Sequence, residues 1–140
     1  MKRTPSGRLA YRTRDVSSRR PMHVTSRVLP DVPSMRCPEA LAIVRQLVRQ
    51  TRERGVRVVA YAVLGTHIHL LVRARSRAAM GDAMRYFFSL LARRLNALFA
   101  RRGPVWEERF ASRVARNAKQ LWHTLNYVLR NPFAANCPCL

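Results

Sequence analysis

Two histidines near the middle of the chain, His67 and His69, are separated by one apolar residue. In a β-strand, residues two apart point to the same face of the sheet, so this spacing predicts that the two imidazoles project together. Imidazole is the commonest protein ligand for divalent metal ions. The pair therefore indicates an incomplete metal site, and two surface histidines on a solvated sheet are the alternative.

A tyrosine in the last part of the chain, Tyr127, precedes Asn131 by four residues. In the helix predicted over 116–130, this spacing places the two side chains one turn apart on the same face. The apolar face of that helix is predicted to contain Leu121, Trp122, Leu125, Val128 and Leu129. Tyr127 and Asn131 fall on the opposite face, where they offer a hydroxyl nucleophile and a carboxamide oxygen suited to a metal ion. An amphipathic helix with an exposed tyrosine is the alternative.

The hydrophobic pattern predicts seven elements in the order β-α-β-β-α-β-α. The predicted strands are 22–28, 56–64, 67–73 and 105–114, and the predicted helices are 38–54, 78–101 and 116–130. In the last strand, Trp106, Phe110 and Val114 are predicted on one side and Glu107, Arg109 and Arg113 on the other. The first six elements match the α+β, ferredoxin-like split β-α-β fold, an antiparallel sheet with helices on one face and the other face free for a ligand. An additional C-terminal helix carries the tyrosine.

The charge of the chain points to a polyanionic partner. The 140 residues contain 27 Lys and Arg against 7 Asp and Glu, which gives a net charge of +20, and nearly all of the cations are arginine. Arginine binds phosphate bidentately and stacks on bases, so nucleic acid is the expected partner and a solvated arginine-rich surface is the alternative. No apolar run approaches the roughly 20 residues that span a bilayer, so no membrane partner is expected.

The length allows one compact domain, which is expected over residues 21–133. Residues 1–20 carry six arginines and little apolar periodicity, and they are expected to form a basic flexible arm. Residues 134–140 are expected to form a short tail. The three cysteines do not indicate a disulfide framework, and no apolar leader segment is evident, which predicts a cytoplasmic, nucleoid-associated protein.

Four segments of the chain, taken together, carry a family resemblance. They are 22–27, 59–72 with its His-x-His, 104–110 with its Trp-x-x-Arg-Phe, and 127–132 with its Tyr-x-x-x-Asn-Pro. In this order and spacing they resemble segments of the single-tyrosine HUH transposases. The closest branch is the REP-associated tyrosine transposases, relatives of the insertion-sequence-200 type. The chain departs from that pattern at Gly65-Thr66, where members usually carry Pro-Asn before the first histidine.

The resemblance implies a metal-dependent endonuclease and strand transferase that acts on single-stranded DNA, beside hairpins such as REP-like elements. It implies that Tyr127 is the nucleophile and forms a 5′-phosphotyrosine intermediate. It further implies that His67, His69 and Asn131 bind Mg²⁺ or Mn²⁺. A non-catalytic protein that binds single-stranded or hairpin nucleic acid is the alternative, and either a monomer or a homodimer is compatible with the sequence.

Further polar residues are assigned supporting roles at this site. The arginines expected to bind DNA are Arg27, Arg73, Arg109 and Arg130. His123 is a candidate proton relay, because it lies on the polar face of the last predicted helix. His23 faces away from Met22 and Val24 on the first predicted strand, and a role in folding or DNA contact is expected for it rather than metal binding.

Overall fold

The computed structural model of the protein describes residues 20–115 and 117–130 and contains the predicted elements in the predicted order. The strands are β1 (Met22–Arg27), β2 (Val56–Val63), β3 (His67–Ala74) and β4 (Ala111–Val114). The helices are α1 (Pro38–Thr51), α2 (Arg77–Leu98) and α3 (Ala118–Arg130), and a 3₁₀ turn (Arg52–Arg54) follows α1. Gly55, at φ 80°, ends that turn in the left-handed conformation that glycine adopts without steric cost.

The four strands form one antiparallel sheet in the order β2-β3-β1-β4. Consecutive strands β2 and β3 are joined by the tight hairpin, whereas β1 lies between β3 and β4. This order is the ferredoxin-like arrangement, so the predicted α+β fold is confirmed. The register places Thr25 opposite His69 and Arg27 opposite His67, which brings the first strand beside the histidine pair.

One side of the sheet, here called the core face, is covered by α1 and α2. Met22 and Val24 of β1 and Ile68 and Leu70 of β3 point to this side and are completely buried. They pack against the apolar faces of the two helices. Phe87 of α2 is one of the large buried side chains on these faces. Alternation of side chains along each strand therefore places the apolar residues of β1 and β3 in one core.

The opposite side of the sheet, here called the histidine face, carries His23, Thr25, His67 and His69, and α3 lies across its β2–β3 part. Ala60, Ala62 and Leu71 of the sheet form a small second cluster with Leu121 and Leu125 of α3. The prediction that this side is free is therefore corrected, since a helix covers part of it. Alanine side chains allow a helix backbone to approach a sheet closely.

A β-bulge in β2 makes this second cluster possible. The pairing of β2 with β3 shifts between Val58 and Ala60, so one extra residue, Val59, is inserted. Without the bulge, regular alternation of the same residues would turn Ala60 toward the core face. The bulge instead aims Ala60 and Ala62 at α3 and keeps the intervening Tyr61 in the core.

Two sequence predictions, the extent of the last strand and the position of Trp122, are wrong in detail. The segment 105–114 is a strand only over Ala111–Val114, and Trp106 forms a single isolated bridge with Val28. The rings of Trp106 and Phe110 lie 5.1 and 5.4 Å from the ring of Phe88, so the apolar spacing of this segment reflects packing of a loop rather than strand pairing. On α3, Trp122 is 59% exposed and does not join the apolar face. Leu121 and Leu125, four residues apart, hold that helix against the sheet.

None of the helices in the described ranges is long and apolar enough to cross a lipid bilayer.

Candidate active site on the histidine face

Three histidines meet on the histidine face. The rings of His67 and His69 lie 4.8 Å apart between centroids and are nearly perpendicular, so the two imidazoles project together as their spacing predicts. The ring of His23 on β1 stacks on His69 at 5.1 Å. Nε2 of His23 lies 3.0 Å from Nδ1 of His69, a hydrogen bond between the two imidazoles.

Helix α3 brings Tyr127 to this cluster. The tyrosine ring lies 5.0 Å from the ring of His69 and 6.3 Å from the ring of His23. The side chain remains 52% exposed, so a ligand on the surface can reach it. The contacts of Leu121 and Leu125 with the sheet fix the helix, and Tyr127 follows at the boundary between the sheet and solvent. The side of α3 that is predicted to be polar is therefore the side that lies beside the histidines.

His69 is the most perturbed group of the cluster. Its side chain is buried, and its Nε2 has no hydrogen-bond partner within the described part of the chain. Burial, with added repulsion from His23 and His67, lowers its pKa from 6.5 to about 4. Leaving a buried polar atom without a partner costs about 1–3 kcal/mol, so Nε2 of His69 is a candidate ligand atom.

The other two histidines are also held in the neutral form. Burial and the nearby guanidinium of Arg113 lower the pKa of His23. Burial and the nearby guanidinium of Arg27 lower the pKa of His67. Thr66, at the position where the sequence departs from the transposase pattern that it resembles, places its hydroxyl 3.1 Å from Nδ1 of His67. Neutral imidazoles are the form that binds a metal ion.

The donor set fits a divalent cation in part. His67 and His69 supply neutral imidazoles, and the buried, unpartnered Nε2 of His69 is the kind of atom that a cation would satisfy. Among the described residues, no group of three or more His, Cys, Asp or Glu is arranged to hold a metal ion. A third ligand must therefore be of another type or lie elsewhere. Asn131, the predicted third ligand, lies outside the described residues.

An open cleft of about 410 Å³ adjoins the two predicted metal ligands. Its lining residues are Thr25, Ser26, Arg27, His67, His69, Glu107, Glu108, Arg109 and Ala111. Arg27 and Arg109, both predicted to bind DNA, are thus placed at the candidate site. The loop that replaces the predicted strand contributes Glu107 and Glu108, for which the sequence indicated no role at the site.

The remaining predicted site residues lie around this centre. Arg73 is on the histidine face, exposed and directly opposite Arg57 of β2. Arg130 is exposed at the last position of α3. His123 is exposed one turn before Tyr127, and its ring lies 5.2 Å from that of Trp122 on the same helix. The role of His123 as a proton relay stays a prediction.

His23 is the residue whose contact with the histidine pair sequence reasoning missed. It was expected to serve folding or DNA contact, yet the structure places it in direct contact with His69. The signal was present in its parity, because His23 alternates with the buried Met22 and Val24 and so faces away from the core. Antiparallel pairing of the first and third strands, which the predicted fold requires, was enough to bring it to the histidine face.

Comparison with known proteins supports the fold suggested by the sequence pattern. No protein-family model matches the chain, and no curated protein matches it. Among solved structures, the chain is similar to a REP-associated tyrosine transposase bound to a REP hairpin, with a TM-score of 0.65, 14% identity, and coverage of 92% of this chain and 83% of that chain. It is also similar to a proposed transposase from Deinococcus radiodurans R1, with a TM-score of 0.57, 16% identity, and coverage of 91% and 95%. The chain therefore has the α+β fold of these two transposases, the fold that its sequence pattern predicted.

Proposed function

We propose that this protein is an HUH-type, metal-dependent endonuclease and strand transferase that acts on single-stranded DNA beside hairpins. The observation that carries the proposal is the position of the Tyr127 ring, 5.0 Å from the ring of His69 and half exposed. A tyrosine hydroxyl, a pair of neutral imidazoles and an arginine-lined cleft are brought together by elements distant in sequence. These are the parts that a phosphoryl transfer to a side-chain nucleophile requires.

Tyr127 supplies the nucleophile in this proposal. Its phenol oxygen forms a bond to the phosphorus of a phosphodiester while the bond from phosphorus to the 3′-oxygen breaks. The phenol proton passes to solvent, and the leaving 3′-oxygen takes up a proton to become a free 3′-hydroxyl. The phosphate stays on Tyr127 as a 5′-phosphotyrosine, which retains the energy of the phosphodiester. A 3′-hydroxyl can attack it later and rejoin a strand without ATP.

His67 and His69 would hold the divalent cation, Mg²⁺ or Mn²⁺, with Asn131 as the third ligand that the motif implies. When bound, such a cation polarises the phosphate and stabilises the negative charge of the transition state. Burial keeps both imidazoles unprotonated at neutral pH, as their lowered pKa values indicate. The two histidines therefore need no deprotonation before they bind a metal.

The DNA would run along the cleft beside β1 and the loop before β4. Arg27 and Arg109 line that cleft and can neutralise phosphates on either side of the scissile bond. Glu107 and Glu108 line the same cleft and would repel a phosphate. The cleft would therefore attract the DNA backbone at its arginines and keep it away from the two carboxylates. The solved transposase bound to a REP hairpin supports hairpin DNA as the substrate class.

A covalent-adduct assay tests the proposal directly. The protein is incubated with Mn²⁺ and oligonucleotides that carry a hairpin between randomised single-stranded flanks, labelled at either end. We expect a 3′-end label to migrate with the protein on a denaturing gel and a 5′-end label to appear in a shortened, free fragment. Tyr127→Phe or a chelator should remove both signals.

A second tyrosine provides the matched control. Tyr86→Phe loses a hydrogen bond from the hydroxyl to Gln50 on the helix side of the molecule, and it should leave the adduct intact. If the unmodified protein binds the DNA but forms no adduct, it is a non-catalytic hairpin-binding protein and the proposal is wrong. An adduct that persists in Tyr127→Phe would assign the nucleophile to another residue.

The site can also be tested for assembly within one chain. Tyr127 lies against His69 of the same chain. A mixture of Tyr127→Phe with a His67→Ala/His69→Ala variant should therefore form no adduct, because each chain lacks one half of its own site. Recovery of the adduct in the mixture would show that two chains exchange α3.

A further inference from the structure

In the hydrogen bond between His23 and His69, one ring donates and the other accepts, and the chemistry of imidazole decides which. A neutral imidazole carries one proton, so one of its nitrogens donates a hydrogen bond and the other presents a lone pair. If Nε2 of His69 is to offer its lone pair to a cation, the proton of that ring must be on Nδ1. The 3.0 Å contact then runs from Nδ1–H of His69 to Nε2 of His23, which accepts.

We propose that His23 is a positioning residue that fixes the tautomer and orientation of His69, so that Nε2 of His69 is the unprotonated nitrogen. This proposal rests on the proposed function, because the unprotonated state of Nε2 follows from its role as a ligand of a divalent cation. Histidines that bind metals regularly donate their other ring N–H to a partner that holds them in place. Here the partner is a second histidine from the neighbouring strand.

The nitrogen of His23 that meets His69 is Nε2, 3.0 Å from Nδ1 of His69. On the histidine face, the register places His23 opposite Leu71 of β3 and Arg113 of β4, and the ring of Tyr127 lies 6.3 Å away. Leu71 offers no hydrogen-bonding group to an imidazole nitrogen. The stacking of the two imidazoles at 5.1 Å aligns them and adds a packing contribution. A positioning role and a packing role can be separated because they depend on different atoms.

Two substitutions separate these roles. His23→Phe retains a ring that can stack on His69 but removes the acceptor. His23→Gln removes the ring but places a carboxamide oxygen near the former position of Nε2, so it can still accept from Nδ1–H. A positioning role predicts that Gln preserves the state of His69 and Phe does not. A packing role predicts the reverse.

The first measurement reads the tautomer in the metal-free protein. Long-range ¹H–¹⁵N correlation spectra of protein labelled on its histidines distinguish a proton on Nδ1 from one on Nε2. We expect His69 to be protonated on Nδ1 in the unmodified protein and in His23→Gln, and to shift toward Nε2 in His23→Phe. An unchanged tautomer in His23→Phe, or Nε2 protonation in the unmodified protein, would overturn the proposal.

The second measurement is Mn²⁺ binding, followed by the loss of the free Mn²⁺ signal in electron paramagnetic resonance. We expect His23→Phe to weaken the affinity about 10–100-fold, as is usual for the loss of a residue that orients a metal ligand, and His23→Gln to recover most of that loss. Thermal melting checks that both variants are folded. If the unmodified protein binds Mn²⁺ through His67 and both variants bind equally well, this proposal fails while the proposed function stands. If the unmodified protein binds no Mn²⁺, the metal site of the proposed function fails instead, and the spectra still decide the tautomer.

Discussion

The two faces of the sheet differ in what their side chains do. On the core face, Met22 and Val24 are fully buried among the apolar residues of α1 and α2. On the histidine face, the intervening His23 lies beside the imidazole of His69 and the ring of Tyr127. Because side chains alternate along a strand, the same six residues of β1 serve both faces.

The difference shows how one sheet carries both stability and chemistry. The core face buries a large continuous cluster, whereas the buried apolar residues that hold α3 are Ala60, Ala62 and Leu71 within the described residues. The histidine face also retains a buried nitrogen of His69 without a partner. A large core on one side therefore stabilises a sheet whose other side holds groups that cost stability. Such local conflicts are typical of functional sites.

The largest loss of stability is expected on the core face. Phe87→Ala removes a fully buried ring from the contact between α2 and the sheet, and we expect the free energy of unfolding to fall by about 3–5 kcal/mol. Urea denaturation measures the change. Leu98→Ala, at a position 36% exposed at the end of the same helix, should lower it by no more than about 1 kcal/mol. Similar losses in the two variants would contradict the assignment of stability to the core face.

A smaller loss of stability, with a larger loss of activity, is expected at the contact that holds α3. Leu125→Ala removes a partly buried side chain from the small cluster, and we expect unfolding to become easier by about 1–2 kcal/mol. Tyr127 depends on the same helix, and a displacement of about 1 Å can slow a reaction about 100-fold. The rate of adduct formation should therefore fall while the protein remains folded. Equal rates in Leu125→Ala and the unmodified protein would show that α3 is positioned by other contacts.

The sequence was sufficient for the features that depend on alternation. The parity of His67 and His69 placed both on one face, and the buried Ile68 and Leu70 confirmed the other. The element order led to the correct sheet because the ferredoxin-like arrangement leaves few ways to connect such elements. Periodicity alone therefore predicted the fold and, at the candidate site, the common face of His67 and His69.

The features that depend on irregular backbone could not be obtained in this way. The bulge at Val59 inserts one residue into an otherwise regular strand, and nothing in the run of β-branched residues marks it. The apolar spacing of Trp106 and Phe110 imitates a strand because both rings pack on Phe88 from a loop. Periodicity reports which side chains are buried, and it does not report whether their backbone is paired.

The histidine face should also make the stability of the protein sensitive to acid, over a pH range in which the apolar core face contributes no change. The pKa of His69 is 6.5 when exposed and about 4 in the folded protein. Between these values the unfolded chain binds more protons, so the free energy of unfolding falls as the pH is lowered from about 6.5 to 4. The full difference corresponds to about 3 kcal/mol, which solvent screening reduces to about 1–2 kcal/mol.

Urea denaturation at several pH values, compared with His69→Leu, measures this contribution. The variant should lose part of the decline between pH 6.5 and 4, because a leucine has no proton to bind. The carboxyl of Asp31, whose pKa is lowered by its hydrogen bond to Arg101, is present in both proteins and contributes equally to the two curves. Parallel curves for the two proteins would show that His69 titrates alike in the folded and unfolded states.

The smallest change in stability is expected where two arginines face each other on the histidine face. Arg57 and Arg73 are directly opposite on β2 and β3, and like charges in this position destabilise a sheet. Arg57→Thr should therefore stabilise the protein by roughly 0.2–1 kcal/mol. If these cations contact DNA, the variant should bind a hairpin oligonucleotide less tightly. The slope of log affinity against log salt concentration should also become shallower, by the amount that corresponds to about one phosphate contact. Arg45→Ala, which removes an exposed arginine from α1, is the matched control and should leave affinity nearly unchanged. Equal losses of affinity in the two variants would mean that DNA responds to net charge alone, and the distinction between the two faces would then not extend to DNA binding.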